Sequence, residues 1–321
     1  MSGEPTSPET WVIVNPKSGG GGTEIRLAAL QTAATRVFGA VSWRVTAHPG
    51  HATDLAREAC AAGATRIVAV GGDGTANEVV NGLFDGERPL RPSVVFGLVS
   101  SGTGGDLART LRIPRDPEEA FQRVRDLPPV ACDVLSVTCT APDGSAVRRL
   151  GINVVGFGLN GEVVARANRS SKRFGGRVTF LAATIASFLE YRPPRVQVRW
   201  TDDRGGTGTW EGRLSTVFVA NAQYCGGGMW VGRGGSMHDG AADLLVVPEL
   251  PILRAIIQGR RLFSGTLGDV KEVSRTRVVQ VEALADSETQ VRMDVDGEQP
   301  GLLPVSIDVL RKVLLIAGQM D

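Results

Sequence analysis

Cysteines, histidines, long apolar runs and excess charge are all scarce in this chain, and each shortage removes a class of function. The four cysteines among 321 residues (Cys60, Cys132, Cys139, Cys225) show no CxxC spacing. Neither a disulfide framework nor a zinc site is therefore expected, and reduced thiols in a cytoplasm fit the pattern. The longest apolar stretch, VTFLAATIASFL at 178–189, has twelve residues, whereas a helix needs about 20 to cross a bilayer. It reads as a buried helix, not an anchor. Thirty-five basic residues against 34 acidic ones leave a net charge of +1, so no global field draws the chain to nucleic acid or to an anionic membrane. No GxxxxGK[ST] occurs, which excludes a P-loop. Of the three histidines, His48 and His51 read as surface or capping residues and His238 as solvent-facing. The opening MSGEPTSPET carries acids and prolines, so a loose tail is expected there and not a signal peptide.

What the chain has in quantity is apolar residues, at 42%, and glycine, at 41 residues. The length allows about two domains with real cores. The first 130 or so residues alternate short apolar runs with helical stretches: WVIV (11–14), a helix near 23–38, SWRV (42–45), a helix near 52–62, IVAV (67–70), a helix from about 75, and VVFGLV (94–99). This is the rhythm of a parallel sheet with helices on both faces. After DPEEAFQRVRDLPP most segments read as strands, with helical insertions around 161–190 and 251–264. The second half is therefore expected to be mostly β, as a sandwich.

The glycines cluster where three of these strands end: VNPKSGGGG after WVIV, GGDGT after IVAV, and SSGTGGD after VVFGLV. In an open α/β sheet, ligands sit beyond the carboxyl ends of the strands. Glycine lets backbone amides approach an anion, and a helix starting there adds unpaired amides at the positive end of its dipole. Phosphate is the expected guest, with Thr75 and Thr103 adding hydroxyls. Asp73 would repel phosphate unless a divalent cation lies between them, so it predicts magnesium. Its alternative role is an N-cap, since Asp-Gly-Thr before a helix is good capping chemistry. A GxGxxG occurs as GFGLNG at 156–161, but Val163 to Leu189 contains no Asp or Glu for a ribose. That stretch reads as a tight strand-to-helix turn.

Taken in order, VNPKSGG (14–20), VTAHPGHATDLA (45–56), GGDGTANEVVNGL (71–83) and GLVSSGTGGDLAR (97–109) resemble the motifs of the diacylglycerol kinase catalytic-domain family, which includes bacterial lipid kinases and the sphingosine and ceramide kinases. GINVVGFGLNGEVV, VANAQYCGGGMWVG, MHDGAADLLVV and VDGEQPG extend the resemblance over roughly residues 11 to 317. It implies a phosphofructokinase-like nucleotide-binding domain with a parallel sheet at 1–131, to which 305–321 return, and a β-sandwich lipid-binding domain at 132–304. ATP phosphates would meet Asn15, Pro16, Lys17, Ser18 and Gly19, Thr46, the run Gly72, Asp73, Gly74, Thr75, Ala76, Asn77 and Glu78, and Gly102 and Thr103. Asp73 would hold the catalytic Mg2+. Glu298 corresponds to the family's general base, with Asp296 beside it, and a structural Mg2+ would lie at Ser236, Asp239 and Ala241.

Without the resemblance, the Asp296-Gly297-Glu298 run reads as a hairpin turn between strands. As the partner of three phosphate loops across a cleft between domains, it reads as the base that phosphoryl transfer needs. Three departures stand out. Ser100 and Gly105 replace the proline and asparagine of the family's P-x-G-T-x-N-D loop, and Arg233 in WVGRGG stands where a proline and an alanine are usual. The expected activity is ATP- and Mg2+-dependent phosphorylation of a diacylglycerol-like or long-chain lipid by a cytoplasmic enzyme transiently peripheral to a membrane. The acceptor lipid and a homodimeric state stay open. The alternatives are a kinase of a soluble acceptor, such as NAD or a polyol, and an inactive lipid-binding protein.

Overall fold

A computed structural model describes residues 9–101, 105–169, 186–187, 190–286 and 289–319. The run at 178–189, expected as a buried helix, lies almost wholly outside these, as do Gly102 and Thr103. Among the described residues no helix is long and apolar enough to cross a membrane. The chain divides into two compact units, residues 1–132 with 312–321 and residues 133–311.

In the first unit, β1 (Thr10–Val14) lies between β2 (Val41–Val45) and β3 (Arg66–Gly71), β4 (Val95–Ser100) lies beside β3, and the last residues of the C-terminal strand (Leu315 and Ile316) lie beside β4. All four pairings are parallel. Strand order therefore reverses at β1 and β3, the kind of switch point beyond which α/β sheets bind ligands. Both sheet faces are covered, as parallel sheets require. Val12, Val14, Val68 and Val70 pack with Leu30, Ala34 and Val37 of α1 (Leu27–Phe38) and with Phe121 and Val124. Their neighbours Ile13, Ile67 and Ala69 are equally buried. On α2 (His51–Ala61) and α3 (Asp73–Gly82), the small residues Ala56 and Gly82 allow close packing, since a Cβ on Gly82 would lie 2.4 Å from the Thr53 carbonyl oxygen. Val79, Val80 and Leu83 point into this core.

The second unit is β-rich and antiparallel. Arg195–Asp202 pairs with Thr207–Ala220 and Ser274–Ala285; Thr207–Ala220 also pairs with Ala242–Pro248 and Val154–Gly158, and the latter with Met293–Val295. A parallel sheet thus describes the first unit and not the whole chain, whose fold is mixed α/β with a β-rich second part. GFGLNG is the expected strand-to-helix turn: Val154–Gly158 runs directly into the helix Leu159–Arg169. A Cβ on Gly161 would lie 2.2 Å from the Arg292 carbonyl oxygen, so close packing fixes that glycine.

Candidate active site

The three glycine loops meet in the first unit through their own hydrogen bonds. Asn15, just past β1, links the first loop to the second: its side-chain amide donates to the Thr75 hydroxyl at 3.0 Å, and its carbonyl oxygen accepts the Lys17 amide. Thr23 donates to the Ser101 hydroxyl at 2.9 Å, joining the first loop to the third. The Ser101 amide donates to the Gly71 carbonyl, joining the third to the second. Glu78 reaches outward to the start of α2, where its carboxylate accepts the Ala52 amide at 3.2 Å. Thr46 is half-buried beyond β2, its amide bonded to the Val14 carbonyl, and Lys17 is exposed. His51 is not a helix cap; its Nδ1 accepts the Ala47 amide, tying the start of α2 to the loop before it.

Asp73 does not cap its own helix. Gly72 is the N-cap, Asp73 is the first residue of α3, and the helix starts two residues before the expected Thr75. The Asp73 carboxylate instead crosses to the third loop. Its Oδ2 accepts the Asp106 amide and its Oδ1 the Leu107 amide, both at 3.1 Å, at the start of the short helix α4 (Asp106–Thr110). Each oxygen retains acceptor capacity, because a carboxylate offers about four lone-pair sites. Backbone geometry also divides the glycines by task. Gly19, Gly20 and Gly21 have positive φ, where side chains are strained, whereas Gly72 is extended. Gly71 is required for packing, since a Cβ there would lie 2.5 Å from the Thr75 hydroxyl. Gly105 is left-handed at φ +61, a conformation asparagine also tolerates. The departure there keeps the turn and removes only the side chain.

In the second unit, Val295 to Glu298 form the expected tight turn, closed by amide-to-carbonyl bonds in both directions at 2.9 Å, with Glu298 exposed. Asp296 is buried beneath it. Its carboxylate accepts three consecutive amides, Ile152 at 2.7 Å, Asn153 at 3.0 Å and Val154 at 2.9 Å. These bonds anchor the turn on which Glu298 sits.

Asp294, which no motif singled out, is half-buried and accepts the Gly297 amide at 2.8 Å. Burial, helped by the charges of Asp296 and Glu298, overrides that hydrogen bond and pushes its carboxyl up to about 8. The ordinary unfolded value is about 3.9. The folded chain therefore holds the extra proton between these values, and the stability gained from this group is lost as pH rises towards and through about 8. Asp294→Asn should flatten that part of the pH dependence and melt above the wild type at alkaline pH, as thermal scans across the range would show.

Ser236 and Asp239, expected near a structural Mg2+, both have side-chain partners within the protein. Asp239 Oδ1 accepts from the Arg277 guanidinium at 2.7 Å and from the Ala241 amide at 3.3 Å, so a positive partner is already present. Ser236 bonds to His238, and the loop is pinned by buried Asp133, whose Oδ2 accepts the Gly240 amide at 2.7 Å. Arg233 lies 3.8 Å from Asp269 and stacks over Trp230. Among the described residues no group of three His, Cys, Asp or Glu could hold a metal. Asp73 still suits Mg2+, which binds through one or two carboxylates together with substrate phosphates.

Residues 9–137 match the family model for the diacylglycerol kinase catalytic domain, and residues 153–318 match that for the YegS C-terminal NAD kinase beta sandwich-like domain. A "probable lipid kinase YegS-like" protein of Stenotrophomonas maltophilia is 28% identical over 294 residues, 91% of this chain and 90% of that one. The diacylglycerol kinase of Bacillus subtilis is 26% identical, with the same coverage. A Bacillus anthracis crystal structure, 24% identical, shares the fold with a TM-score of 0.75, covering 99% of this chain and 97% of its own.

Proposed function

This chain belongs to the diacylglycerol kinase catalytic-domain family, a family of phosphotransferases with an alcohol acceptor, and on that premise we propose that it moves the γ-phosphoryl group of ATP to the hydroxyl of a diacylglycerol-like or long-chain lipid at a membrane surface. The observation that carries the proposal is the meeting of three glycine loops, joined through Asn15, Thr23 and Ser101, with the Asp73 carboxylate of the second held against amides that follow the third. In this reading the first unit is phosphofructokinase-like and the second a lipid-binding sandwich.

Phosphoryl transfer asks a protein chiefly for positioning and charge stabilisation. Asn15 to Gly19, Thr46, Gly72 to Glu78, and Gly102 with Thr103 take the phosphates, through backbone amides and the positive end of α3. Mg2+, held by Asp73, would neutralise the phosphate charge. Glu298 accepts the acceptor hydroxyl's proton as the new oxygen–phosphorus bond forms and the bond to ADP breaks. Asp296 and the turn it anchors position Glu298.

Gly19 couples the loops tightly. A Cβ there would lie 2.5 Å from the Ser101 carbonyl oxygen, on a residue already at φ +62. Gly19→Ala should therefore raise the KM for ATP about tenfold or more, as a loss of roughly 1.4 kcal/mol of binding implies. Steady-state kinetics with ATP varied would check this.

The description of the second domain as NAD kinase-like keeps a soluble acceptor as the second reading. Radiolabelled ATP incubated with total lipid extract and, separately, with soluble metabolites distinguishes the two. Label is expected in the organic phase; label confined to the aqueous phase would end the lipid reading.

A further inference from the structure

The helix Ile252–Gly259 and the turn Arg261–Ser264 that follows have their amphipathicity reversed. At about 100° per residue, Ile252, Leu253, Ile256 and Ile257 fall on one contiguous face of the helix. A surface helix of a water-soluble protein turns such a face inward. Here Ile252, Ile256 and Ile257 are each 59% exposed and Leu253 69%, while Phe263, one turn further on, is 64% exposed. The side facing the protein is small and polar: Ala255, Gly259 and Gln258, whose side-chain oxygen is buried with no hydrogen-bond partner. These five residues make up most of the large hydrophobic side chains left exposed among the described residues.

Cations lie close to the face in sequence. Arg254, Arg260, Arg261 and Lys271 lie on this segment or just after it, against Asp269 and Glu272, in a chain whose total charge is close to neutral. Arg254 pairs with Glu272, Arg261 bonds back to the Thr266 carbonyl, and Arg260 is exposed. An exposed apolar face with arginines beside it is how a helix binds in the interface of an anionic bilayer, with its apolar side chains at the acyl boundary and its cations among the headgroups. A second copy of the chain fits less well. Two-fold pairing would bring the arginines together, and a two-turn face falls short of the roughly 800 Å² per partner that a stable dimer buries.

We propose that residues 252–263 form the element by which this protein docks on an anionic lipid surface. The inference deepens the lipid-kinase reading and rests on it for its purpose, since a lipid acceptor must be met at a bilayer.

Sedimentation with phosphatidylcholine vesicles, with and without phosphatidylglycerol, tests the proposal on the full chain. The paired substitution Ile256→Asp with Ile257→Asp should cut partition onto anionic vesicles by at least about tenfold. Phosphorylation of detergent-dispersed diacylglycerol should stay within about twofold of wild type, because both side chains are outside the catalytic machinery and already exposed. Arg260→Glu should weaken binding to anionic vesicles and leave binding to neutral ones unchanged. Wild-type partition by the paired variant would overturn the proposal. So would a wild-type dimer that this variant converts to a monomer with vesicle binding unaltered. If vesicle binding falls as expected but the wild type phosphorylates no lipid, docking stands and the lipid-kinase reading fails.

Discussion

Asp73→Asn should lower phosphoryl transfer by on the order of 10³-fold or more, while the chain stays folded. Loss of one preorganised electrostatic group typically costs about 10²–10³ in rate, and this group would also hold the metal between the loops. The structural cost is smaller. The carboxylate accepts two amides at the start of α4, and asparagine retains one acceptor. The lost half of this cap is worth roughly 1 kcal/mol, or about 2–4 °C in melting temperature. Turnover of labelled ATP alongside thermal melting separates the two effects. Near-normal transfer by this variant would remove Asp73 from the mechanism.

Asp296→Ala should be the most destabilising single substitution at the site. It would leave three buried amides, those of Ile152, Asn153 and Val154, without their carboxylate. Each unsatisfied buried donor costs about 1–3 kcal/mol, so a loss on the order of 4 kcal/mol and of about 10 °C in melting temperature is expected. Asp296 also has φ +52, a conformation that aspartate and asparagine tolerate better than alanine. Asp296→Asn, with one acceptor oxygen and the same backbone tolerance, should lose about half as much. Calorimetry on the two variants would check the order. An alanine variant that melts with the wild type would show that the carboxylate does not hold the turn.

Much of the site's outline was legible along the chain. IVAV followed by GGDGT, and VVFGLV followed by SSGTGGD, mark strand ends by apolar runs that stop at glycine. Strand and helix periodicity is local, so β1 to β4 and α1 to α3 stand close to where the pattern put them. Two carboxylates make contacts that no local pattern carries. Asp73 was expected as a metal ligand or as a cap for its own helix; its amide partners are 33 and 34 positions away, on another loop. Asp296, expected beside the base, also anchors residues 142 to 144 positions earlier. Asp294, Asp133 and Arg277 carried no motif signal, because their importance comes from burial or from a charge partner brought in by another strand.

The sequence by itself determined the strand-and-helix rhythm of the first unit, the β-rich character of the second and the family, because hydrophobic period and glycine placement act over a few residues. Only the tertiary structure decided which amides each carboxylate serves, which glycines are needed for φ and which for packing, and that the Ile252–Gly259 helix turns its apolar face outward. Those outcomes depend on which distant segments share a surface. Hydrogen bonds and burial form between neighbours in space, and the order of residues along the chain does not specify those neighbours locally.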